Sequence, residues 1–466
     1  MATQYTRHEP LGHVVFITAA AAVGGFLFGY DSSVINGAVV GIQRYFQVGS
    51  FETGFVVAIA LLGSAVGAWA GGGLADRWGR TRSMQVAALL FAVSSIGQMV
   101  PFAIWDLGLW RVVAGFAIGM ASVLGPAYIA EVSPPAYRGR LGSFQQLAIV
   151  LGIAVSQLVN YVFARLAGGD VNNPLWGLQA WQWMLGACVV PAGVFLFFAL
   201  SIPESPRYLI MSGRTRRARE VLAEIEADDV DLDDRIAEIQ RVLRTERVPG
   251  LKDLRGPALG LLPIVWIGIL LSVFQQLVGI NVIFYYSSVL WQSVGINQSD
   301  SLLISFSSSI INIVGTFIAI SLVDRIGRRP LLLVGSAGMA ISLATAAWAF
   351  SFAVGEGREV SLPDPQGAIA LVAANAFVLF FALSWGVVVW VLLGEMFPNR
   401  LRAAALGVSA GAQWLANWAV TVSFPAMAEW NLPITYAVYT MFALLSFLFV
   451  ATRVKETKGR KLEDMG

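Results

Sequence analysis

Hydrophobic and polar positions in this chain come in blocks rather than interleaved. Long apolar blocks lie near residues 12–42, 52–75, 83–104, 107–130, 142–164, 181–202, 258–292, 302–323, 330–354, 367–394, 403–426 and 433–452. An α-helix needs roughly 20 apolar residues to cross the hydrocarbon core of a bilayer. The pattern therefore predicts an all-α membrane protein with twelve transmembrane helices joined mostly by short polar connections. The exception is RTRRAREVLAEIEADDVDLDDRIAEIQRVLRTER, between the sixth and seventh blocks. Within it Val221, Leu222 and Ile225, then Ile236, Ile239, Val242 and Leu243, recur at helical spacing. That predicts two or three short amphipathic helices under the membrane, a linker and not a catalytic domain.

The expected organisation is an N-terminal six-helix bundle over 1–202, a cytoplasmic linker over 203–257, a C-terminal six-helix bundle over 258–452 and a tail over 453–466. Composition agrees: 57% of residues are hydrophobic and 13% charged, against about 25% charged in a soluble domain. The first apolar block is too long for a signal peptide and has no convincing cleavage site, so it reads as a retained span. A single cysteine, Cys188, excludes an internal disulfide, and His8 and His13 stand at or before the first span. No Cys/His metal cluster can form from that set, and neither metal nor cofactor is expected.

Charge is informative through its placement. Arg77, Arg80, Arg82, Arg138, Arg140, Arg325, Arg328, Arg329, Arg400 and Arg402 fall in alternate short loops, while the opposite loops hold little beyond Arg44, Arg165 and Arg358. The positive-inside rule then puts both termini in the cytoplasm. The glycine-rich GGGLADRWGR has no preceding strand and no G-K-S/T ending, so it is not a nucleotide loop. Any energy must come from a gradient.

The two halves repeat one another. GGLADRWGRTR (72–82) follows the second span and SLVDRIGRRP (321–330) the eighth, which makes Asp76 and Asp324 equivalent. AEVSPPAYRGR after the fourth span matches GEMFPNRLRA after the tenth, with Glu131 seven residues before Arg138 and Glu395 seven before Arg402. A duplication of six spans with six is what two bundles rocking around a site at their interface require, and a membrane enzyme has no need of it.

Together with D-R-x-G-R after spans two and eight, the stretches PESPRYL (203–209), QQLVGIN (275–281) and VKETKGR (454–460) make the chain resemble the sugar porter family of the major facilitator superfamily over nearly its whole length. The resemblance implies two pseudo-symmetric six-helix bundles, a central sugar site and alternating access. The nearest patterns are bacterial proton-coupled glucose and xylose carriers and facilitative glucose transporters; the latter lack an acid at the position of Asp31. It also implies that Gln146, Asn312, Trp390, Gln413 and Trp414 line the sugar site, with Phe28 and Tyr285 closing it. Asp76, Arg77, Arg80, Glu131, Arg138, Asp324, Arg328, Glu395 and Arg402 are implied as a cytoplasmic gating network that links the halves when the site opens outward and separates when it opens inward.

Some of this chemistry is readable from the residues themselves. A sugar is a ring of hydroxyls, and amide side chains both donate and accept hydrogen bonds. Gln275, Gln276 and Asn281 stand in the otherwise apolar SVFQQLVGINVIFYY. Adjacent glutamines point about 100° apart on a helix, and Asn281 reaches the face they share if the helix loosens at Gly279. Helix packing explains one such amide easily and three poorly, whereas Gln146 and Asn312 read equally well as packing groups.

Asp31, in FLFGYDSSVING, and Arg111 are the charges buried in apolar spans. A charge at a helix centre costs roughly 2.5–3.5 kcal/mol on insertion scales, so such residues face a cavity or a partner. Arg111 lies twenty residues before Glu131 and Asp31 twenty after Leu11; at 1.5 Å per residue both sit roughly 30 Å from the cytoplasmic ends of their spans and can meet. Either they form a structural pair holding spans one and four, or they form a proton switch. Burial and a neighbouring guanidinium act oppositely on a carboxylate, so a change in the distance to Arg111 would change whether Asp31 holds a proton.

The reading is thus proton-coupled symport of a monosaccharide, D-glucose foremost, across the cell (inner) membrane by a monomer. The expected partners are the sugar, the proton and the lipid bilayer, with no nucleic acid. A facilitative hexose uniporter is the first alternative. A membrane sugar sensor is the second, disfavoured by the short tail after VKETKGR. Glucose, xylose and galactose differ by one hydroxymethyl group or one hydroxyl orientation, which sequence does not separate.

Overall fold

Glycine, proline and polar residues break several of the apolar blocks into shorter helices, and these breaks shape the interior. The structure, a computed structural model, describes residues 11–134, 138–245, 250–355, 360–398 and 401–458, without the side chains of residues 138–140, 142, 402 and 403. The first five crossings are unbroken: α1 (Leu11–Phe46), α2 (Ser50–Trp78), α3 (Arg80–Met99), α4 (Ile104–Val132) and α5 (Arg138–Leu166). The sixth is α6 (Ala180–Gly186) continued by α7 (Val189–Ser201). The linker forms α8 (Pro206–Met211), α9 (Thr215–Ile225) and α10 (Leu232–Thr245).

The seventh crossing, expected as one block, divides into α11 (Pro263–Leu277), α12 (Ile280–Tyr285) and α13 (Ser287–Gln292). Then come α14 (Gln298–Ile326), α15 (Arg328–Phe350) and a tenth crossing broken at Ser384 into α16 (Gln366–Ala382) and α17 (Trp385–Met396). α18 (Arg402–Arg453) carries the last two crossings. They are separated at Asn431, whose backbone leaves the helical region and whose Oδ1 accepts from Ile434 N–H at 3.0 Å.

Within the N-terminal half, α2 packs on α4, α1 on α5 and α3 on α7; in the other half, α15 packs on α16 and on α18, and α11 on α18. The halves meet along α2 with α18 and α5 with α14. α1 and α5 cross with their backbones in contact. A Cβ added to Gly29 would lie 2.0 Å from Ile149 O, and one added to Gly152 would lie 2.2 Å from Phe26 O. Small residues permit this approach, which van der Waals packing between membrane helices rewards.

The linker, the start of α1 and the end of α18 share one end of the molecule, the insert end below; the α1–α2 and α13–α14 connections mark the far end. In the linker Val221, Leu222, Ile225 and Ile236 are buried, while Ile239, Val242 and Leu243 are half-buried. His13 Nε2 stands 3.5 Å from Glu224 and links α9 to the first turn of α1.

Candidate functional site

The seventh crossing builds the polar centre of the C-terminal half. Gly279 adopts φ +85°, a left-handed conformation that ends α11 and restarts the chain as α12. The turn brings Asn281 back toward the end of α11. Its Nδ2 donates to Gln276 Oε1 at 2.6 Å and to Asn417 Oδ1 at 3.0 Å, and Thr421 Oγ1 donates to the same Asn417 oxygen at 3.1 Å. Gln275 points elsewhere, as the 100° step requires: its Nε2 donates to Trp385 O at 2.9 Å and its Oε1 accepts from Gln413 Nε2.

Gln275, Gln276, Asn281 and Gln413 are thus brought together. Asn417 belongs with them and was not singled out from sequence; the available signal was its place four residues after Gln413, one helical turn along the same face. Tyr285 lines one cavity together with Ser32 of α1 and Trp414. Phe28 meets Trp414 edge-to-face across the two halves, with ring centroids 5.8 Å apart. These contacts bring α1 against the amide cluster. Gln146 is half-buried on α5, Asn312 is buried on α14, and Trp390 is 43% exposed on α17. Among the described contacts, no hydrogen bond joins these three to the cluster.

Asp31 and Arg111, both almost fully buried, face each other at 3.9 Å. This distance exceeds hydrogen-bond range, although Arg111 Nη2 donates to Val57 O at 3.0 Å. Asp31 Oδ1, Arg111 Nε and Arg111 Nη1 are buried without a hydrogen-bond partner. Two charges removed from water and so loosely paired are costly. Beside them lies a cavity of about 20 Å³ lined by Phe28, Asp31, Ser32, Arg111, Tyr285 and Trp414, among others, with room for about one water molecule. The ion pair and the aromatic residues therefore share one space.

The insert-end charges pair in matched fashion. Arg80 contacts Glu131 at 2.8 Å and Asp76 at 3.3 Å; Arg328 contacts Glu395 at 2.6 Å and Asp324 at 3.1 Å. The side chain of Arg77 is exposed. The side chains of Arg138 and Arg402 lie outside the described residues. One further acid completes each set, and neither was singled out from sequence. Glu204 accepts from Arg80 N–H at 3.0 Å and Thr81 Oγ1 at 2.8 Å; Glu456 accepts from the N–H groups of Arg328 and Arg329, each at 3.1 Å.

The residue after each acid holds the acid of the neighbouring loop: Ser205 donates to Glu131, and Thr457 donates to Glu395 at 2.7 Å. These carboxylates satisfy N–H groups left open at the first turns of α3 and α15, where the helix dipole favours negative charge. Partial burial alone would raise the Glu456 carboxyl, but the N–H groups of Lys458, Arg328, Arg329 and Thr457 hold it below the usual carboxylate range. The signal was present, since PES and KET follow the sixth and twelfth spans as another matched pair.

Among the described residues, each of these networks stays within its own half. The described hydrogen bonds between halves lie at the far end instead: Asn36 with Ser288 and Ser305, Gln157 with Phe284, Val171 with Gln298, and Ser50 with Glu429. Among the described residues the halves are tied at the far end and charge-paired separately at the insert end.

The chain matches the Sugar (and other) transporter family over residues 17–466. It is 51% identical over 454 residues to a glucose transport protein of Synechocystis sp., covering 97% of each chain. It is 35% identical over 503 residues to the D-xylose-proton symporter of Escherichia coli strain K12, covering 100% of this chain and 96% of that one. Among solved structures it is similar to a partially occluded inward-open conformation of the xylose transporter from E. coli, with a TM-score of 0.83 and 33% identity over 97% of this chain and 100% of that chain. With this fold and these matched halves, the chain belongs to the sugar porter family of the major facilitator superfamily and is a multi-pass membrane transporter of monosaccharides, not an enzyme.

Proposed function

We propose that this chain imports D-glucose with a proton across the cell (inner) membrane by alternating access, working as a monomer with both termini in the cytoplasm. The observation that carries the reading is the cavity common to the two chemistries, lined both by Asp31 and Arg111 and by Phe28, Tyr285 and Trp414. A sugar filling the central site touches the aromatic wall, and any shift of α1 against α4 changes the 3.9 Å separation of the ion pair. Sugar occupancy and proton occupancy then bias the same movement, which is what coupling requires.

Gln275, Gln276, Asn281, Gln413 and Asn417 act as the hydroxyl-binding set, exchanging their mutual hydrogen bonds for bonds to the sugar. Gln146, Asn312 and Trp390 join them as the bundles close. The insert-end sets built on Arg80 and Arg328 act as the inner gate, linking across the halves in the outward-facing state. The within-half pairing of these sets, together with the far-end seal, supports an inward-facing arrangement here.

The test is proton movement. Energy-starved cells expressing the protein are given D-glucose in weakly buffered medium, and the expected result is alkalinisation that tracks sugar uptake. Sugar uptake without alkalinisation would establish uniport. Uptake of labelled glucose against unlabelled xylose and galactose at two pH values checks the choice of sugar.

A further inference from the structure

The break between α12 and α13 exposes backbone groups that a continuous helix would satisfy. Tyr286, at φ −131° and ψ 14°, ends one helix and precedes the other. The Phe284 carbonyl and the Ser288 N–H are thereby freed from the helical ladder. Deep in a membrane protein such groups need a partner, and both partners come from the opposite half. Asn36 Oδ1 accepts from Ser288 N–H at 2.8 Å, and Gln157 Nε2 donates to Phe284 O at 3.1 Å.

Asn36 is the centre of this arrangement. Its Nδ2 donates to Gln157 Oε1 and to Ser305 Oγ, each at 3.0 Å, and its backbone carbonyl accepts from Ser288 Oγ. Ser305 also pairs with Ser287. Asn36 and Gln157 are fully buried, and the Asn36 side chain uses both donors and its acceptor. Four residues before Asn36 on α1, Ser32 lines the same cavity as Tyr285. α1 thus meets both the helix break, through Asn36, and the space beside the tyrosine that ends α12, through Ser32.

We propose that Asn36 is a positioning residue of the transport cycle: by satisfying the α12–α13 break from the opposite half, it keeps the outer side shut and presents Tyr285 to the sugar site. When the halves part at the far end, Ser288 N–H and Phe284 O lose these partners to water. The strength of the Asn36 contacts then sets the balance between inward- and outward-facing forms. This inference rests on the alternating access proposed above.

Spin labels at Tyr45→Cys and Ser293→Cys, exposed far-end positions on opposite halves, introduced in a Cys188→Ser background, report the far-end separation. Asn36→Ala is expected to shift the population toward the longer distance by roughly tenfold to a hundredfold, as losing two or three net hydrogen bonds implies. Apparent affinity for sugar from outside should tighten and turnover should fall. Ser305→Ala, which removes one acceptor and spares the fold, is expected to shift the balance the same way by less, and it decides the matter if Asn36→Ala does not assemble.

A structural role alone would lower yield without moving the distances or the split between KM and kcat. Unchanged distances and unchanged KM in both variants would overturn the proposal. If sugar fails to move the distances in the parent protein, alternating access fails; if sugar moves them and neither variant does, only the Asn36 assignment fails.

Discussion

The carboxylate of Asp31 and the guanidinium of Arg111 face one another at 3.9 Å, buried and with most of their hydrogen-bonding capacity unused. A pair kept for stability alone would be expected to close to direct hydrogen bonds, because the attraction must offset the desolvation of both charges. Asp31→Asn keeps the shape and removes the titratable group. It should abolish accumulation of sugar against a gradient while leaving exchange of labelled for unlabelled sugar. Measuring both in membrane vesicles separates coupling from binding, and continued uphill accumulation would rule out Asp31 as the coupling group.

Gln276→Ala removes the acceptor that fixes Asn281 Nδ2 at 2.6 Å. It also removes a group proposed to bind a sugar hydroxyl. Affinity should fall about tenfold, the effect of a hydrogen bond or two, with little change in the amount of folded protein. Equilibrium binding to purified protein gives the answer; unchanged affinity would make Gln276 a packing residue.

Gly279→Ala tests the turn that folds the amide cluster. An alanine at φ +85° costs about 1–2 kcal/mol in backbone strain. Its Cβ would also stand 2.8 Å from the Tyr439 ring. Transport should drop more than affinity for sugar alone predicts, because Gln276 and Asn281 lose their shared orientation. A parallel thermal-unfolding measurement should show a lower midpoint.

Glu456 supplies a pH prediction. Its folded carboxyl titrates below the ordinary value because the backbone N–H groups of Lys458, Arg328, Arg329 and Thr457 favour the charged form, outweighing burial. Its contribution to stability is therefore present above the unfolded-state pKa and is lost as pH falls through the lower folded value. Wild type should be more heat-stable than Glu456→Gln at neutral pH, and the difference should vanish under strongly acidic conditions. A difference that persists unchanged in acid would assign the effect to packing.

The pairing of Asp31 with Arg111 was legible because distance along a straight helix is depth in the membrane, and depth can be counted from the charged ends. The Arg80 and Arg328 sets were legible because duplication wrote them twice. Glu204 and Glu456 were equally duplicated, but their role depends on where the chain returns after the sixth and twelfth crossings. Asn417 and Asn36 escaped for a different reason: one polar residue in a span is ordinary, and only its partners distinguish it from helix packing.

The sequence by itself determined the membrane class, the repeated six-span halves, the polar linker and the position of the acid within the first span. All follow from hydropathy and spacing, which act along the chain. Only the tertiary structure decided which amides turn toward one another, how far Asp31 stands from Arg111, and that the far end is the end tied shut. These depend on where a helix breaks and which half supplies the missing hydrogen-bond partner. Gly279 and Tyr286 mark those breaks, while Asn36 and Gln157, from a separate part of the chain, complete the second of them.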